Sequence, residues 1–443
     1  TRKESSAASD VYKRQVFTMG NTNNTNEQDT EFALCTVPEN ERKSYFSLTI
    51  VWTGFVFVIT SMMAGGGLSA GLDFKGILLA VVLGNVFLSI IAVAVSYIAS
   101  KTGLTFALLT KYSFGEKGSR VASMFVPVVN IGWYTIQAAT YGHFIAQAFN
   151  WSGTAELFCM AVSAVIMGIF SMKGYKAISI LGYIAIPAIV FLSLATSIRA
   201  VGMVGADGIW NHVPTDSISI GSGITIVIGT WILSTATCIA DIMRYAKSAK
   251  SAIAATLTGL LGGNIFMILC GTLTSIAVGD SDLTNVLLSM GLLIPCLILM
   301  TTNIFTTNAS NLYSTSLNLS NAFKMDRKKI IIVILIISAG ATLCRPYQIS
   351  FLFTFLNLLG TIVPPLPGII LADYFIIHHG SYARLEGVKF HNFNIIPWIA
   401  WVLSLVLVFT LPFGLPSLNG LILGAVIYTV LMKITKKQVI KED

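Results

Sequence analysis

Charged side chains are scarce in this sequence. Only 11% of its 443 residues are Asp, Glu, Lys or Arg, whereas a soluble globular protein has roughly 25%. Hydrophobic residues make up 54%, and the mean hydropathy is +0.77. Polar linkers that would divide a soluble enzyme of this length into domains are also missing. These absences exclude a soluble globular protein, and we expect a helical protein that crosses the membrane many times.

Cysteine and histidine are few, and they do not cluster. The six cysteines stand without paired spacing, which excludes a CxxC redox or zinc motif. Of the five histidines, His143 stands alone near the end of an apolar run, and the others lie in loops or at a helix end. A membrane-embedded enzyme would need a catalytic cluster at membrane depth, such as an HExxH motif or His–Asp pairs, and we expect none from the positions of these histidines in the sequence. We predict that the chain is not an enzyme and that His143 is a hydrogen-bonded packing residue.

Apolar runs of about 20 residues, each long enough to cross a bilayer, fill most of the chain. We predict twelve spans, at residues 45–72, 76–99, 120–148, 155–172, 177–198, 222–241, 252–278, 287–316, 330–346, 349–377, 394–412 and 416–433. Beyond residue 18, one side of these spans holds 21 basic residues and the other only Lys75, Arg199 and Arg345. Because cytoplasmic loops are rich in Lys and Arg, both termini are expected in the cytoplasm. The net charge of +8 then reflects topology and indicates no nucleic-acid partner.

The two ends of the chain are expected to lie outside the membrane domain. Residues 1–18 look like translated sequencing-adapter read-through and are expected to be a non-native leader without a functional role. Residues 19–43 form a polar, Asn-rich stretch that is expected to be a disordered cytoplasmic tail. Residues 435–443 are expected to form a second cytoplasmic tail. Between them, residues 44–434 are predicted to form a single transmembrane domain.

Two predicted spans carry runs of small and hydroxyl residues that suggest interrupted helices. These runs are Thr60–Gly67 in the first span and Gly229–Thr237 in the sixth, five spans apart. Paired interruptions at corresponding positions of two halves indicate an inverted-repeat transporter whose binding site lies near the membrane midplane. Gly is also common in continuous membrane helices, so the pattern alone leaves that alternative open.

Two other spans present polar side chains on one helical face, spaced at i, i+3, i+4 and i+7. In the eighth span they are Asn303, Thr306, Thr307, Ser310 and Asn311. In the third span they are Asn130, Trp133, Tyr134 and Gln137. Hydrogen bonding between helices is the alternative for any single residue, but five on one face favour a polar cavity.

A neutral, flat ring with polar edges suits these faces best. Trp133 could stack on one side of the ring and Trp231, expected at the interruption of the sixth span, on the other. Stacking contributes about 1–3 kcal/mol per base, and each amide hydrogen bond about 0.5–1.5 kcal/mol. A carboxylate relay for protons is missing, because Asp241 and Asp373 are expected at span ends. Neutral oxygens therefore favour sodium as the coupling ion, with a proton as the alternative.

Seven short motifs follow one another along the chain. They are Lys101–Thr105, Ser113–Ser119, Gly132-Trp133, Ala240-Asp241, Asn303–Asn308, Pro364-Pro365 and Ala372–Tyr374. In this order, and over most of its length, the chain resembles the nucleobase–cation symporter-1 family, and within it the bacterial cytosine permease branch. The resemblance implies an all-α LeuT-type fold of two inverted five-helix repeats, about 44–200 and 221–378, with two extra helices within 394–434.

The resemblance also implies a mode of action and a set of site residues. It implies import by alternating access across the bacterial cytoplasmic membrane, with sodium as coupling ion, no other cofactor, and a monomer as the functional unit. Sodium would be held by the carbonyls of Gly54, Phe57 and Asn303 and the hydroxyls of Thr306 and Thr307. The implied substrate residues are Trp133, Trp231, Gly229, Asn130, Gln137, Asn303, Asn308 and Asn311.

Cytosine is the expected substrate, although three residues depart from the cytosine permease pattern. They are Asn130, Trp231 and Leu233. Trp133 followed by Gln137, and Trp231 two residues after Gly229, are more similar to the hydantoin-transporting relatives. Hydroxymethylpyrimidine, purines, hydantoin and allantoin therefore stay open as alternative substrates.

Overall fold

The structure, a computed structural model, describes residues 32, 35–172, 175–291, 293–323, 325–411, 413–435 and 439–440. Apart from isolated bridges, these residues form helices and no strand. The α-helices are α1 (Tyr45–Val56), α2 (Ile59–Gly71), α3 (Phe74–Thr102), α4 (Phe106–Phe114), α5 (Glu116–Ala148), α6 (Thr154–Met172), α7 (Tyr175–Trp210), α8 (Ile220–Ala236), α9 (Cys238–Met243), α10 (Ala249–Gly259), α11 (Ile265–Val278), α12 (Leu283–Ser289), α13 (Leu293–Phe323), α14 (Arg327–Thr342), α15 (Ile349–Ile362), α16 (Pro365–Ala372), α17 (Ile396–Thr410) and α18 (Pro416–Thr435). The all-helical architecture predicted from the sequence is confirmed.

A helix or a pair of helices lies at each predicted span. The first span is the pair α1 and α2, the sixth is α8 and α9, and the tenth is α15 and α16. The seventh span is α10 and α11, joined by a π-helical segment at Leu260–Asn264. Five of the described helical segments are long and apolar enough to cross a membrane alone, and the bent α1–α2 pair is a sixth candidate. Several other helices are apolar but shorter, at 10–17 residues.

The interruption in the first span lies earlier than predicted. α1 ends at Val56 and α2 begins at Ile59, with a bend of 50° between them, whereas the glycine-rich run at 60–67 is helical. Those glycines serve helix packing: a Cβ on Gly65 would overlap the Ile268 carbonyl of α11. Small residues let membrane helices approach closely. The glycine-rich run therefore marks a helix contact, and the prediction of an interruption there was wrong.

The interruption in the sixth span is also displaced, to the end of the predicted run. The chain leaves helical geometry at Thr237 (φ −131°, ψ −72°), between α8 and α9. α8 itself is continuous through Gly229 and Trp231, so Trp231 does not lie at the break. A Cβ on Gly229 would overlap the Leu356 carbonyl of α15. Gly229, implied as a substrate residue, therefore contacts a neighbouring helix in this conformation.

Each of the two predicted tails contains residues that contact the helices or their connecting loops. Val37 is buried and its N–H donates to the Gly103 carbonyl (3.1 Å), while Lys43 forms an isolated bridge with Ala246. Near the other end, the Val439 carbonyl accepts a hydrogen bond from the His391 N–H (2.9 Å). Val37, Lys43 and Val439 thus contact the rest of the described fold, and the division of the chain into two tails and one transmembrane domain stays a prediction. The predicted leader, 1–18, lies outside the described residues.

Candidate functional site

One side chain of α13 closes the gap between α1 and α2. The Asn303 Nδ2 group donates to the Phe57 carbonyl (2.9 Å), and its Oδ1 accepts from the Ile59 N–H (2.8 Å). Helix ends leave such backbone groups without intrahelical partners, and buried ones need a substitute. Asn303 is fully buried, so its amide replaces the missing backbone bonds and ties α13 to the break. The resemblance implies that this side chain contacts substrate, but in this conformation both of its polar atoms are hydrogen-bonded to backbone groups at the break.

Three of the residues implied to hold sodium, Phe57, Thr306 and Thr307, are hydrogen-bonded to Asn303. The hydroxyls of Thr306 and Thr307 donate to the Asn303 backbone carbonyl (2.8 and 2.9 Å), and Phe57 is bonded to the Asn303 side chain. The remaining residue, Gly54, lies in the last turn of α1, where helix carbonyls have no partner further along the helix. Neutral carbonyl and hydroxyl oxygens therefore lie at the junction of Asn303 with the break, and hard cations prefer oxygen ligands of this kind.

The middle of α5 presents an aromatic ring and a buried amide. Trp133 is partly buried and packs edge-to-face on Phe355 of α15, with ring centroids 5.2 Å apart. One turn further on, Gln137 is buried, and its Oε1 has no hydrogen-bond partner among the described atoms. One turn earlier, Asn130 is buried as well. A buried acceptor without a donor destabilises the fold by about 1–3 kcal/mol. The Gln137 side-chain oxygen is therefore suited to accept a hydrogen bond from an N–H group of a ligand.

A second buried amide faces α5 from α13. The Asn308 Nδ2 group donates to the Tyr134 carbonyl (3.2 Å), whereas its Oδ1 has no partner in the described part of the chain. Five residues along an α-helix correspond to a turn of roughly 140°, so Asn308 and Asn303 point in different directions. The predicted polar face therefore divides into one side toward the break and another toward α5. Asn311 on the same helix is also buried, and the Ser310 side chain is outside those described.

Trp231 lies in a buried aromatic group formed with α1. Its ring packs edge-to-face on Phe55 and Trp52, with centroids 5.3 and 6.1 Å away. Its indole N–H donates to Ser61 Oγ at the start of α2 (3.2 Å). Trp133 and Trp231 thus have different ring partners in this conformation, and their sandwiching of one ligand stays a prediction.

Sequence reasoning missed two buried amides behind Trp231. Asn85 in α3 and Asn264 at the end of the π segment are fully buried and hydrogen-bonded to each other (2.8 Å). A single amide in an otherwise apolar span is costly to leave unpaired. That isolated polarity was the signal available in the sequence.

His143 belongs to a buried cluster near the end of α5, here called the His143 cluster. Its Nδ1 contacts Glu156 Oε1 of α6 (2.7 Å), and its Nε2 lies 3.3 Å from Asp282 Oδ2. The Tyr347 ring stacks on the imidazole at 3.9 Å and its hydroxyl donates to Glu156 (2.7 Å), while Arg345 lies 3.5 Å from the same carboxylate. The predicted hydrogen-bonded role of His143 is confirmed, but this histidine does not stand alone.

Removing the Tyr347 hydroxyl is expected to lower the thermal stability of the protein. Burial, and then the Glu156 carboxylate, raise the pKa of Tyr347, which keeps the hydroxyl protonated as a donor. Tyr347→Phe retains the stacked ring but removes a hydrogen bond to a buried carboxylate, which contributes about 1.5–3 kcal/mol. Thermal unfolding in detergent measures the change. The control is Tyr45→Phe, which removes an exposed hydrogen bond to Thr258; equal midpoints for the two variants would contradict the prediction.

This sequence is similar to those of known membrane permeases. The family model described as a permease for cytosine/purines, uracil, thiamine and allantoin matches residues 36–431. The chain belongs to the nucleobase–cation symporter-1 family. This symporter-1 member is 31% identical over 412 residues to the cytosine permease of Escherichia coli K12, with 93% of this chain and 96% of that protein covered. Its relatives are permeases, which confirms that the chain is not an enzyme.

Two solved structures of Mhp1 share the fold of this family member. The inward-facing conformation matches with a TM-score of 0.80 at 18% identity, covering 94% of this chain and 95% of Mhp1. The closed conformation with bromovinylhydantoin bound matches with a TM-score of 0.70 at 20% identity, covering 91% and 95%. The chain therefore has the all-helical fold of a LeuT-type transporter. Together with its apolar helices, the family assignment makes it a multi-pass membrane protein.

Proposed function

We propose that this family member imports a neutral nucleobase together with sodium, and that cytosine is its substrate. The observation that carries the proposal is a pair of buried acceptors without donors among the described atoms. Gln137 Oε1 lies one helical turn beyond Trp133 on α5, and Asn308 Oδ1 belongs to a side chain of α13 that is hydrogen-bonded to the Tyr134 carbonyl of α5. A flat ring bearing N–H groups supplies those donors and stacks on the indole. The residues of the site bear no formal charge, which suits a neutral ring better than an amino acid or a phosphate. The likeness to a cytosine permease supports cytosine among such rings.

We also propose a twelve-span architecture with both termini on the cytoplasmic side. Twelve spans form two inverted five-helix repeats and two further helices, and the monomer is the working unit. Both termini lie in the cytoplasm of a bacterium, because the predicted loops on that side hold nearly all of the basic residues. Alternating access is supported by the likeness to Mhp1 in both inward-facing and closed conformations.

Sodium is proposed to bind at the junction of Asn303 with the break. Its ligands would be the carbonyls of Gly54, Phe57 and Asn303 and the hydroxyls of Thr306 and Thr307. One sodium ion entering down a potential of 100 mV contributes about 2.3 kcal/mol, and a tenfold gradient adds about 1.4 kcal/mol. Together these could concentrate a neutral substrate by about two orders of magnitude or more.

Uptake of radiolabelled cytosine into proteoliposomes tests the proposal. We expect saturable uptake with an inward sodium gradient and little uptake with choline in place of sodium. The double variant Thr306→Ala and Thr307→Ala is expected to lose the sodium dependence, because two ligand hydroxyls are removed. Thr302→Ala is the matched control, since Thr302 lies on the same helix but is not one of the proposed ligands, and its hydroxyl donates to the Ile298 and Leu299 carbonyls, away from Asn303. Uptake that follows a pH gradient and ignores sodium would replace sodium with a proton as the coupling ion.

Hydantoin is the second candidate substrate, because the closed Mhp1 structure holds bromovinylhydantoin and shares this fold. A thermal-shift panel separates the candidates. It compares cytosine with hydroxymethylpyrimidine, purines, hydantoin and allantoin, each in sodium and in choline. The transported ring should give the largest stabilisation, and only in sodium, because a ligand stabilises the state that binds it. A larger shift with hydantoin than with cytosine would overturn the assignment to cytosine.

A further inference from the structure

A chain of buried hydrogen bonds ends on Trp231. Ser61 Oγ accepts from the Trp231 Nε1–H (3.2 Å) and donates to Asn264 Oδ1 (2.7 Å). Asn264 Nδ2 donates to Asn85 Oδ1 (2.8 Å), and Asn85 Nδ2 donates to the Val81 carbonyl (2.9 Å). Ser61, Asn85 and Asn264 are each 0% exposed. The chain joins α2, α3 and the π segment of the seventh span to the indole on α8.

The Val81 carbonyl, at the far end of this series of hydrogen bonds, determines which group donates and which accepts in each of them. The Val81 carbonyl can only accept, so Asn85 turns its NH₂ group toward it and its oxygen toward Asn264. Asn264 must then present its NH₂ group to Asn85 and its oxygen to Ser61. The single hydroxyl proton of Ser61 goes to Asn264, which leaves the Ser61 oxygen as an acceptor for the indole N–H of Trp231. One orientation of the indole therefore satisfies the whole chain.

This series of hydrogen bonds lies beside the break in the first span. Asn264 is the last residue of the π-helical segment Leu260–Asn264, and such segments often occur at functional sites. Ser61 lies in the first turn of α2, two residues after Ile59. Trp231 is thus hydrogen-bonded to the α2 side of the break, while its ring contacts Phe55 and Trp52 on the α1 side. Its orientation depends on both halves of the span.

We propose that Ser61 and Asn264 are positioning residues, which hold the Trp231 indole in the orientation that stacks on the transported ring. This inference rests on the proposed function, in which Trp231 contacts the substrate. The edge-to-face contacts with Phe55 and Trp52 restrict where the ring lies, and the N–H bond fixes which of its edges faces α2. Without Ser61, the indole N–H is left buried without an acceptor, a costly state that another orientation relieves.

The test measures cytosine affinity in two backgrounds, using purified protein in sodium. Ser61→Ala and Asn264→Ala are each made in the natural chain and in a Trp231→Phe chain, where an aromatic ring remains but the N–H is gone. In the natural chain each change is expected to weaken cytosine binding by about three- to tenfold. In the Trp231→Phe chain neither change should weaken binding further. Ser69→Ala, a buried serine of α2 that bonds to Gly66 instead, is the matched control with unchanged affinity.

The outcomes distinguish this inference from the proposed function. Equal losses in both backgrounds would overturn the positioning role, because the effect would not pass through the indole N–H. Unchanged affinity for Ser61→Ala in the natural chain would overturn it as well, and this variant decides the matter if Asn264→Ala does not fold. A Trp231→Ala variant that binds cytosine normally would instead overturn the stacking role of Trp231, and the positioning role with it.

Discussion

Replacing Gly271 with leucine is expected to leave little folded protein, whereas the same change at Gly262 is expected to be tolerated. A Cβ on Gly271 of α11 would overlap the Met62 carbonyl of α2. Close by, the Thr272 hydroxyl donates to the Gly65 carbonyl (3.0 Å), so the two helices touch backbone to backbone. Overpacking costs about 1–3 kcal/mol where side chains can give way. A backbone cannot rotate aside, so we expect a loss of at least about 3 kcal/mol.

Gly262 is a matched control because it lies in the same span. It is exposed, and a Cβ there would have nothing within 4 Å. Fluorescence-detected size exclusion of the detergent-solubilised variants, followed by thermal unfolding, measures both the yield and the stability. If Gly271→Leu elutes as a single folded species with an unchanged midpoint, α2 and α11 are not in backbone contact.

The all-helical architecture could be predicted from the sequence because lipid imposes one requirement on every membrane span. Each must be an apolar helix of about 20 residues, and hydropathy reports that directly. The interruptions could not be predicted as well, since glycine serves two purposes. At Gly65 it allows a close helix contact, while the actual break falls at Phe57 and Val58, whose residue types do not mark it. That break depends on Asn303, which lies 244 residues from Ile59.

The candidate site, too, could be predicted from the sequence only in part. Helical periodicity placed Asn303, Thr306 and Thr307 on one face, because neighbours on one helix need no tertiary information. It could not show that Asn308 turns toward α5. The His143 cluster was beyond reach for another reason: its members come from two helices and two loops, which only the packed fold brings together.

Truncating Trp133 is expected to weaken cytosine binding by roughly 5- to 150-fold while the protein still folds. The size follows from base stacking, which contributes about 1–3 kcal/mol. Folding should survive because Trp133 is only partly buried and, among the described aromatic residues, its ring pairs edge-to-face with Phe355 alone. Binding of labelled cytosine to purified Trp133→Ala, in the presence of sodium, measures the loss.

Two further variants decide whether that loss comes from stacking. Trp133→Phe keeps a smaller aromatic face and should retain part of the affinity, because stacking needs a flat ring and no particular polar group. Trp151→Ala removes a tryptophan that is 48% exposed beyond the end of α5, and it should bind cytosine as the natural chain does. If Trp133→Ala also binds normally, the ring is recognised through Gln137 and Asn308 alone. If all three variants are weakened alike, the effect is a general destabilisation, and Trp133 has no special role in holding the substrate.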